Sequence, residues 1–528
     1  MLITATFLAL ALAGVLNHEL WRDEWQSWLI GRGSTSLRQL LDRLRDESQP
    51  PLWLTFLYLL GRVTSAPLAM QLAHALVATA SVFVVARYAP FSRLEKTLYA
   101  LGYFPLYEYC IVSRNYALGI LCAWLFCLWL GQSRRGLALA ALMGMVWSSH
   151  QAALIAAPML ALLVGGRRAA GKSGGGELPA VFTLVAFLGT AVLCAWMMSA
   201  PQVLGKSVSL QTTFDQRLLV RSLTTIWNAY VPLPHISAQG AQWNTNVLGT
   251  FNSWLGFSDH PGLLASDPLA AQELVAAGLA LALLALSAWS LLRHRAVMLA
   301  VLSAQLLLVA ATCSVYFGWL RHHGHVFVVF LMGCWILRDA ARRSGAVARE
   351  GRRALLPVLL AVHVVGGVAI YATDLKRPFT ASPMVPVFLR AAGLADLPLM
   401  GSPDYLITPL SGAVDRPFWS LDTGKLTTAT QWKTSKGSGL GLLLERAGKR
   451  VRTSGRNGHL LITGFPLESQ LGKLDLSRRT FWVKLTPLAT FAPRMVPDEG
   501  YVVYYAQPRG TPVPANIRAL AIGKTLKL

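Results

Sequence analysis

Charge is what this sequence has least of. Asp, Glu, Lys and Arg together make up 14% of 528 residues, whereas 54% are hydrophobic. That leaves too little polar surface to cover a soluble globule of this size, which excludes a soluble enzyme and points to a polytopic membrane protein. Acidic residues are the scarcer sign, 25 Asp and Glu against 48 Lys and Arg. A basic excess can signal nucleic acid, but here Lys and Arg fall mostly in short clusters between apolar runs, the pattern that orients helices during insertion, so no nucleic acid partner is expected. Cysteine is rare as well. All six (Cys110, Cys122, Cys127, Cys194, Cys313 and Cys334) lie in apolar segments, which argues against disulfides and thiolate metal sites. There is no internal repeat and no low-complexity tract beyond a short Gly-rich stretch at 174–176.

Long apolar runs are what the chain has instead. Crossing the hydrocarbon takes about 20 apolar residues, and eleven spans are predicted: Leu2 to Leu16, Pro67 to Val85, Leu94 to Ile111, Tyr116 to Leu130, Gly136 to Ser149, Gln151 to Val164, Leu178 to Ser199, Leu269 to Leu292, Ala296 to Phe317, His325 to Leu337 and Ala354 to Tyr371. The stretch "PPLWLTFLYLLGR", Pro50 to Arg62, is apolar but only about half the length needed. Counted as a span, it would put the clusters Arg134/Arg135, Arg167/Arg168/Lys172, Arg293/Arg295 and the Arg338 to Arg353 run outside. Read as a helix lying in the outer interface, it puts all of them in the cytoplasm together with Arg87, Arg93 and Lys96, and the positive-inside rule selects this reading.

The expected topology therefore has its N-terminus inside and its C-terminus outside. The first span lacks a basic n-region and is expected to remain uncleaved. Residues 1–371 form the membrane module, with a first outer loop at 17–66 and a second at 200–268. Within the first loop, Leu37, Leu40, Leu41 and Leu44 follow helical spacing opposite Arg38, Asp42, Arg43 and Arg45, an amphipathic stretch. Residues 372–528 lose the long apolar runs and gain strand-like pieces, "HLLITGF", "TFWVKL" and "GYVVYYA", so a mixed α/β extracytoplasmic domain is expected there.

One motif is set aside. "GRRAAGKS", Gly166 to Ser173, matches the phosphate-loop pattern, but that pattern works only when a strand feeds the loop and a helix N-terminus follows it. Here a membrane helix precedes it and "GGGE" follows, which suits a basic cytoplasmic connector.

The stretch "HELWRDEWQSWLIGR", His18 to Arg32, places Arg22, Asp23 and Glu24 among tryptophans just outside the first span. Its plain reading is a solvated loop beside an interfacial aromatic belt. The same loop then supplies a second acidic pair in "DESQPPLW", Asp46 to Trp53, followed by Pro-Pro. A first helix, an outer loop with "DE", two juxtamembrane helices and an acidic "PPL" turn resemble the layout of the GT-C integral-membrane glycosyltransferases, in the lipid A aminoarabinose transferase and protein O-mannosyltransferase branch. The resemblance runs over residues 1–371, strong in the first loop and weak elsewhere. It implies that Asp23 is the catalytic base, with Glu24 and Glu47 as further candidates. It also implies a polyprenyl-phosphate sugar as donor. The chemistry agrees: a carboxylate takes the acceptor's proton as it attacks the anomeric carbon, and the departing phosphate needs cations.

Candidates for the donor's phosphate and substrate come from other outer helix ends. They are Arg22 beside the acidic pair, Arg114 and Tyr116 in "SRNYAL", His150 in "SSHQ", and Arg321, His322 and His323 in "GWLRHHGH". Plain readings exist for each: arginines contact lipid headgroups, histidines cap helices, and His322, His323 and His325 lack a complete zinc ligand set. The relatives carry a lysine in the acidic "PPL" turn, whereas Ser48 and Gln49 separate Glu47 from Pro50 here, which raises the weight on Arg114 and Arg321. The second outer loop adds Arg217, Arg221, Trp227, His235, Trp243 and Trp254, which suit sugar stacking or packing equally.

The expectation is an inverting glycosyltransferase of the cytoplasmic (inner) membrane, surrounded by membrane lipids, transferring to a lipid, glycan or protein acceptor on the outer face. Two alternatives stand beside it. A flippase of a lipid-linked sugar would place ionisable groups near mid-span; a non-catalytic polysaccharide-binding scaffold would leave Asp23 dispensable. No cofactor is certain, and a divalent metal is left open.

Overall fold

The computed structural model describes residues 1–169, 179–198, 215–248, 269, 271–344, 354–432, 439–455, 458–472 and 481–528. The chain divides into two compact units, one of Met1–Asn17 with Ser48–Lys376 and one of His18–Glu47 with Arg377–Leu528. The division cuts inside the expected 17–66 loop, because most of that loop finds its packing partners in the C-terminal part of the chain.

The first unit is built from helices, with one short antiparallel pair, β1 (Ile236–Ser237) and β2 (Gly240–Ala241). Among the described residues six helices are long and apolar enough to cross a membrane: Leu68–Tyr88, Ala180–Met198, Ala271–Leu291, Arg295–Ser314, Leu320–Arg343 and Leu355–Asp374. The number rises to seven if Leu2–Asn17 is counted together with the helix that follows it. Among the described residues each of the eleven expected runs overlaps a helix, but Tyr116–Gly131 and Arg135–Ser148 are only 16 and 14 residues long. Pro51–Val63, at 13 residues, is a helix too short to span.

The expected span Leu94 to Ile111 is not continuous. An α-helix, Arg93–Ala100, ends before Gly102, and a π-helical segment, Tyr103–Ile111, follows. The Leu355–Asp374 helix packs directly on the break. A Cβ at Gly367 would lie 2.9 Å from the Tyr103 backbone nitrogen, and one at Gly366 would lie 2.1 Å from the Pro232 carbonyl oxygen. Two glycines thus let the Leu355–Asp374 helix meet backbone directly, and no larger residue fits there.

The second unit carries a seven-stranded sheet in the order β5-β4-β3-β6-β8-β7-β9. Its strands are β3 (Leu399–Ser402), β4 (Phe418–Ser420), β5 (Leu426–Thr427), β6 (His459–Thr463), β7 (Val483–Phe491), β8 (Tyr501–Pro508) and β9 (Leu526–Lys527). β3 runs parallel to β4 and β6, and the remaining pairs are antiparallel. The three strand-like sequence pieces therefore mark β6, β7 and β8. Alternation sorts their side chains to two cores. Leu460, Ile462, Val503 and Tyr505 join Val385, Leu389, Leu406, Ile407 and Ile517. Leu461, Val502, Tyr504 and Ala506 join Leu443, Leu444, Ala447 and Val451 of the Leu440–Thr453 helix. Both faces of the sheet are covered by helices, which is why its central strands are apolar throughout.

The first-loop helices Arg22–Gly33 and Leu37–Glu47 belong to this unit. Trp25 lies against Gly412, where a Cβ would come 2.2 Å from the indole. Leu40 and Leu44 of the amphipathic helix are buried, whereas Leu37 is exposed. The phosphate-loop match and Trp254 lie outside the described residues or on side chains that are not described.

Candidate functional site

In the second unit the three candidate carboxylates take different positions. Glu24 is fully buried and caps its own helix: its carboxylate accepts the Trp21 backbone N–H at 3.2 Å, and His18 Nε2 lies 3.2 Å from the same oxygen. It thereby satisfies a backbone donor that the helix start leaves without a partner. Glu47 accepts from Gln26 Nε2 at 2.6 Å and from Trp432 Nε1 at 3.0 Å. Gln26 in turn pairs in both directions with the Thr430 backbone, each bond 2.9 Å, and Asp46 accepts the Trp432 backbone N–H at 2.9 Å. Glu47 and Asp46 thus fasten the first loop to the tail, whereas Glu24 caps its own helix. The Asp23 side chain is 26% exposed, with Oδ1 3.8 Å from Arg22 Nε.

Arg22, expected to hold phosphate, is engaged differently. It is buried, its Nη1 donates to Asp498 Oδ2 at 2.9 Å, and its backbone N–H donates to Glu499 Oε1 at 2.8 Å. The guanidinium carbon lies 5.1 Å from the Trp21 ring and 5.6 Å from the Tyr405 ring. Burial pulls its pKa down, but Asp498, Asp23 and Glu499 outweigh that and raise it. With Asp498 taking up its charge, Arg22 fixes the start of the helix that carries Asp23. Burial pushes the Glu499 carboxyl up to about 7, against the opposing pull of Arg22 and Thr380. Asp498 and Glu499 escaped the sequence reading, although a second "DE" directly before a strand is a visible signal.

In the first unit, two of the candidate segments come together. The turn that holds Arg114 is pinned by His74, whose ring nitrogens lie 2.8 Å from the Cys110 carbonyl and 2.8 Å from the Arg114 carbonyl. Asn115 Nδ2 donates to the Ser148 carbonyl at 2.8 Å. Tyr116 then opens the next helix, and its hydroxyl lies 2.8 Å from His322 Nε2. Since His322 Nδ1 accepts the Trp319 backbone N–H at 2.7 Å, the neutral imidazole carries its proton on Nε2 and donates it to the Tyr116 oxygen. Arg114 and Arg321 both act electrostatically on this imidazole.

Arg321, His322 and His323 were expected in a turn, but they form the first turn of the Leu320–Arg343 helix. The His322 side chain bonds back to Trp319 and starts the helix five residues earlier than apolarity alone suggests. His323 Nε2 lies 3.0 Å from the Phe317 carbonyl, and the Tyr109 hydroxyl donates to the Arg321 carbonyl at 2.8 Å and lies 3.2 Å from His325 Nδ1. The histidines thus bond to separate partners, and among the described residues no group of three or more His, Cys, Asp or Glu could hold a metal ion. The Arg321 guanidinium, 3% exposed, lies over two indoles that stack on each other 5.8 Å apart, with its carbon 5.8 Å from Trp243 and 5.3 Å from Trp319. His150 opens the His150–Ala169 helix and is exposed, without a hydrogen bond to these groups. Arg221, a reserve candidate, is buried in an ion pair with Glu273 at 3.1 Å, while Arg217 is exposed.

Sequence reasoning missed His74 and Glu108 in this unit. Glu108, in "YEY", is a lone acid inside an apolar run, a signal that merits a functional question by itself.

No family model matches the chain, and no curated protein matches it. Two solved structures are similar to it along nearly its whole length. One is ArnT from Cupriavidus metallidurans bound to undecaprenyl phosphate, 13% identical over 99% of this chain and 99% of that one, with a TM-score of 0.46. The other is ArnT from Cupriavidus metallidurans in the apo state, 14% identical over 98% of this chain and 99% of that one, also with a TM-score of 0.46.

Proposed function

We propose that the chain is an inverting glycosyltransferase of the cytoplasmic membrane that takes its sugar from a polyprenyl phosphate and transfers it to a lipid, glycan or protein acceptor on the outer face. The observation that carries this reading is the Tyr116–His322 hydrogen bond of 2.8 Å, between residues 206 apart in the chain. It draws the Arg114 turn and the Arg321 helix start together, so that two buried arginines from separate helix ends share one locality. Buried arginines gathered with aromatic rings and neutral imidazoles suit an anion with an apolar tail. Arg supplies charge-assisted, bidentate contacts to phosphate oxygens, and the indoles fix the plane of the fork.

The step is a single displacement. The acceptor's oxygen or nitrogen attacks the anomeric carbon, the bond from that carbon to the phosphate oxygen breaks, and the polyprenyl phosphate leaves with the electron pair, its charge met by Arg114 and Arg321. In the second unit, taken by itself, Asp23 is the carboxylate we assign to take the acceptor's proton. Asp23 is preferred over Glu24 and Glu47 because those two are committed to capping and to Trp432, whereas Asp23 keeps an exposed edge.

The test uses full-length protein in proteoliposomes with a polyprenyl-phosphate sugar, assayed for sugar release and transfer. Measurable turnover, together with undecaprenyl phosphate binding that depends on Arg321, is expected. A protein that neither binds undecaprenyl phosphate nor consumes any polyprenyl-phosphate sugar would sink the reading.

A further inference from the structure

We infer that Glu108 is a positioning residue for the donor's phosphate, acting through the Trp243 indole on Arg321. The inference rests on the phosphate role proposed above for Arg321.

Glu108 is 1% exposed and sits in the π-helical segment, a backbone form that occurs frequently at functional sites. Its Oε1 accepts from the Tyr103 hydroxyl at 3.0 Å and from Trp243 Nε1 at 2.9 Å. Burying a carboxylate is costly, and packing alone would be served as well by an apolar residue. What the carboxylate adds is direction. An indole held at its N–H can no longer turn in its own plane, and this indole is one of the two that flank the Arg321 guanidinium.

The neighbours of both residues act on the same arginine. Asn244 follows Trp243 and its Oδ1 accepts the Leu320 backbone N–H at 2.8 Å, which fixes the start of the helix that carries Arg321. Tyr109 follows Glu108 and donates to the Arg321 carbonyl at 2.8 Å. Residues 108–109 and 243–244 therefore hold the backbone of this helix start at two points and one indole of the platform at a third. A planar fork grips two phosphate oxygens only when its plane is set, and Glu108 sets it at one remove.

The experiment measures undecaprenyl phosphate affinity in nanodiscs and donor KM and kcat with full-length protein. R321A is expected to weaken binding by about 10- to 100-fold, as loss of a charge-assisted contact does. E108A and W243F, the second of which keeps a ring but loses the N–H, should each weaken binding by about 5- to 10-fold, the scale of one hydrogen bond. Because Arg321 also meets the charge of the departing phosphate, kcat/KM for the donor should fall at least as far as binding does. E108Q keeps the acceptor oxygen and should stay within about twofold of wild type, a change too small to represent a lost hydrogen bond. The E108A/W243F double variant should be no weaker than either single one, because both cut the same link.

If E108A fails to fold, W243F and E108Q decide: weakened binding in the first with retained binding in the second supports the inference, and any other pattern overturns it. If R321A is weak while E108A and W243F bind like wild type, Glu108 serves packing only; the inference falls and the phosphate site stands. If R321A itself binds like wild type, the phosphate site falls and takes the inference with it.

Discussion

Glu499 Oε1 accepts the backbone N–H of Arg22 at 2.8 Å, so a carboxylate 477 residues along the chain fixes the residue directly before Asp23. Its other oxygen is held by the Thr380 hydroxyl. The second unit is thus fastened around a buried acid that titrates near neutrality.

Glu499 makes stability pH-dependent in a defined direction. Its pKa rises from 4.5 to about 7 because burial disfavours the anion. A raised folded-state value means that the contribution to stability is fully present below about 4.5 and is lost as pH rises through about 7. Thermal melts of the purified protein between these limits should show Tm falling with pH in wild type and a flatter profile in Glu499→Gln. Identical slopes would show that Glu499 does not titrate in this range.

Asp23 and Glu24 are neighbours with opposite expected phenotypes. Asp23→Asn should lower turnover by about 10²- to 10⁴-fold, the usual worth of a general base, while leaving Tm and undecaprenyl phosphate affinity unchanged. Glu24→Gln should instead lower Tm, because it weakens the bonds to Trp21 and His18, with turnover per folded molecule kept within about tenfold, above the general-base range. Retention of more than about a tenth of wild-type turnover in Asp23→Asn would remove it as the base.

The link between the two candidate segments can be cut at Tyr116. Tyr116→Phe leaves the His322 N–H without its partner at 2.8 Å, and a buried donor left unsatisfied costs about 1 to 3 kcal/mol. Part of that should appear as weaker undecaprenyl phosphate binding, measured in nanodiscs. Arg321→Lys should recover part of the affinity lost in Arg321→Ala, because an ammonium keeps the charge and loses the fork. Full recovery by Lys would mean that geometry at Arg321 is unimportant.

The orientation in the membrane is open to a labelling test. Cysteines introduced at Arg167 and Arg342 should be shielded from an impermeant thiol reagent in intact cells, whereas one at Arg377 should label. The native cysteines are buried or half-buried and give a low background. The reverse pattern would turn Pro51–Val63 into a crossing segment and move the tail inside.

The helices of the membrane part were legible because runs of apolar residues carry their own signal, and β6, β7 and β8 were legible because short β-branched and aromatic pieces do the same. The start of the Leu320–Arg343 helix was not. "LRHHGH" looks like loop by hydropathy, and only the return bond from His322 to Trp319 makes it helical. Nor could composition separate Glu24 from Asp23, since both sit in the first helical turn and the difference is which one faces the Trp21 N–H. The membership of the first loop was hidden for a third reason. Gln26 with Thr430 and Arg22 with Asp498 are pairings across some 400 residues or more, and no local period reports them.

That discontinuous unit has a consequence for how the protein is made. His18–Glu47 emerges from the ribosome early and must wait while Ser48–Lys376 is synthesised before Arg377–Leu528 supplies its partners. Closing so long a chain loop is entropically slow, and until it closes the buried groups around Arg22 lack the acids that match them. The helix bearing Asp23 is therefore among the last pieces to set. A chain made only as far as Lys376 carries the whole first unit, whereas His18–Glu47 still lacks Asp498 and Glu499, so the second unit cannot close until the tail is made.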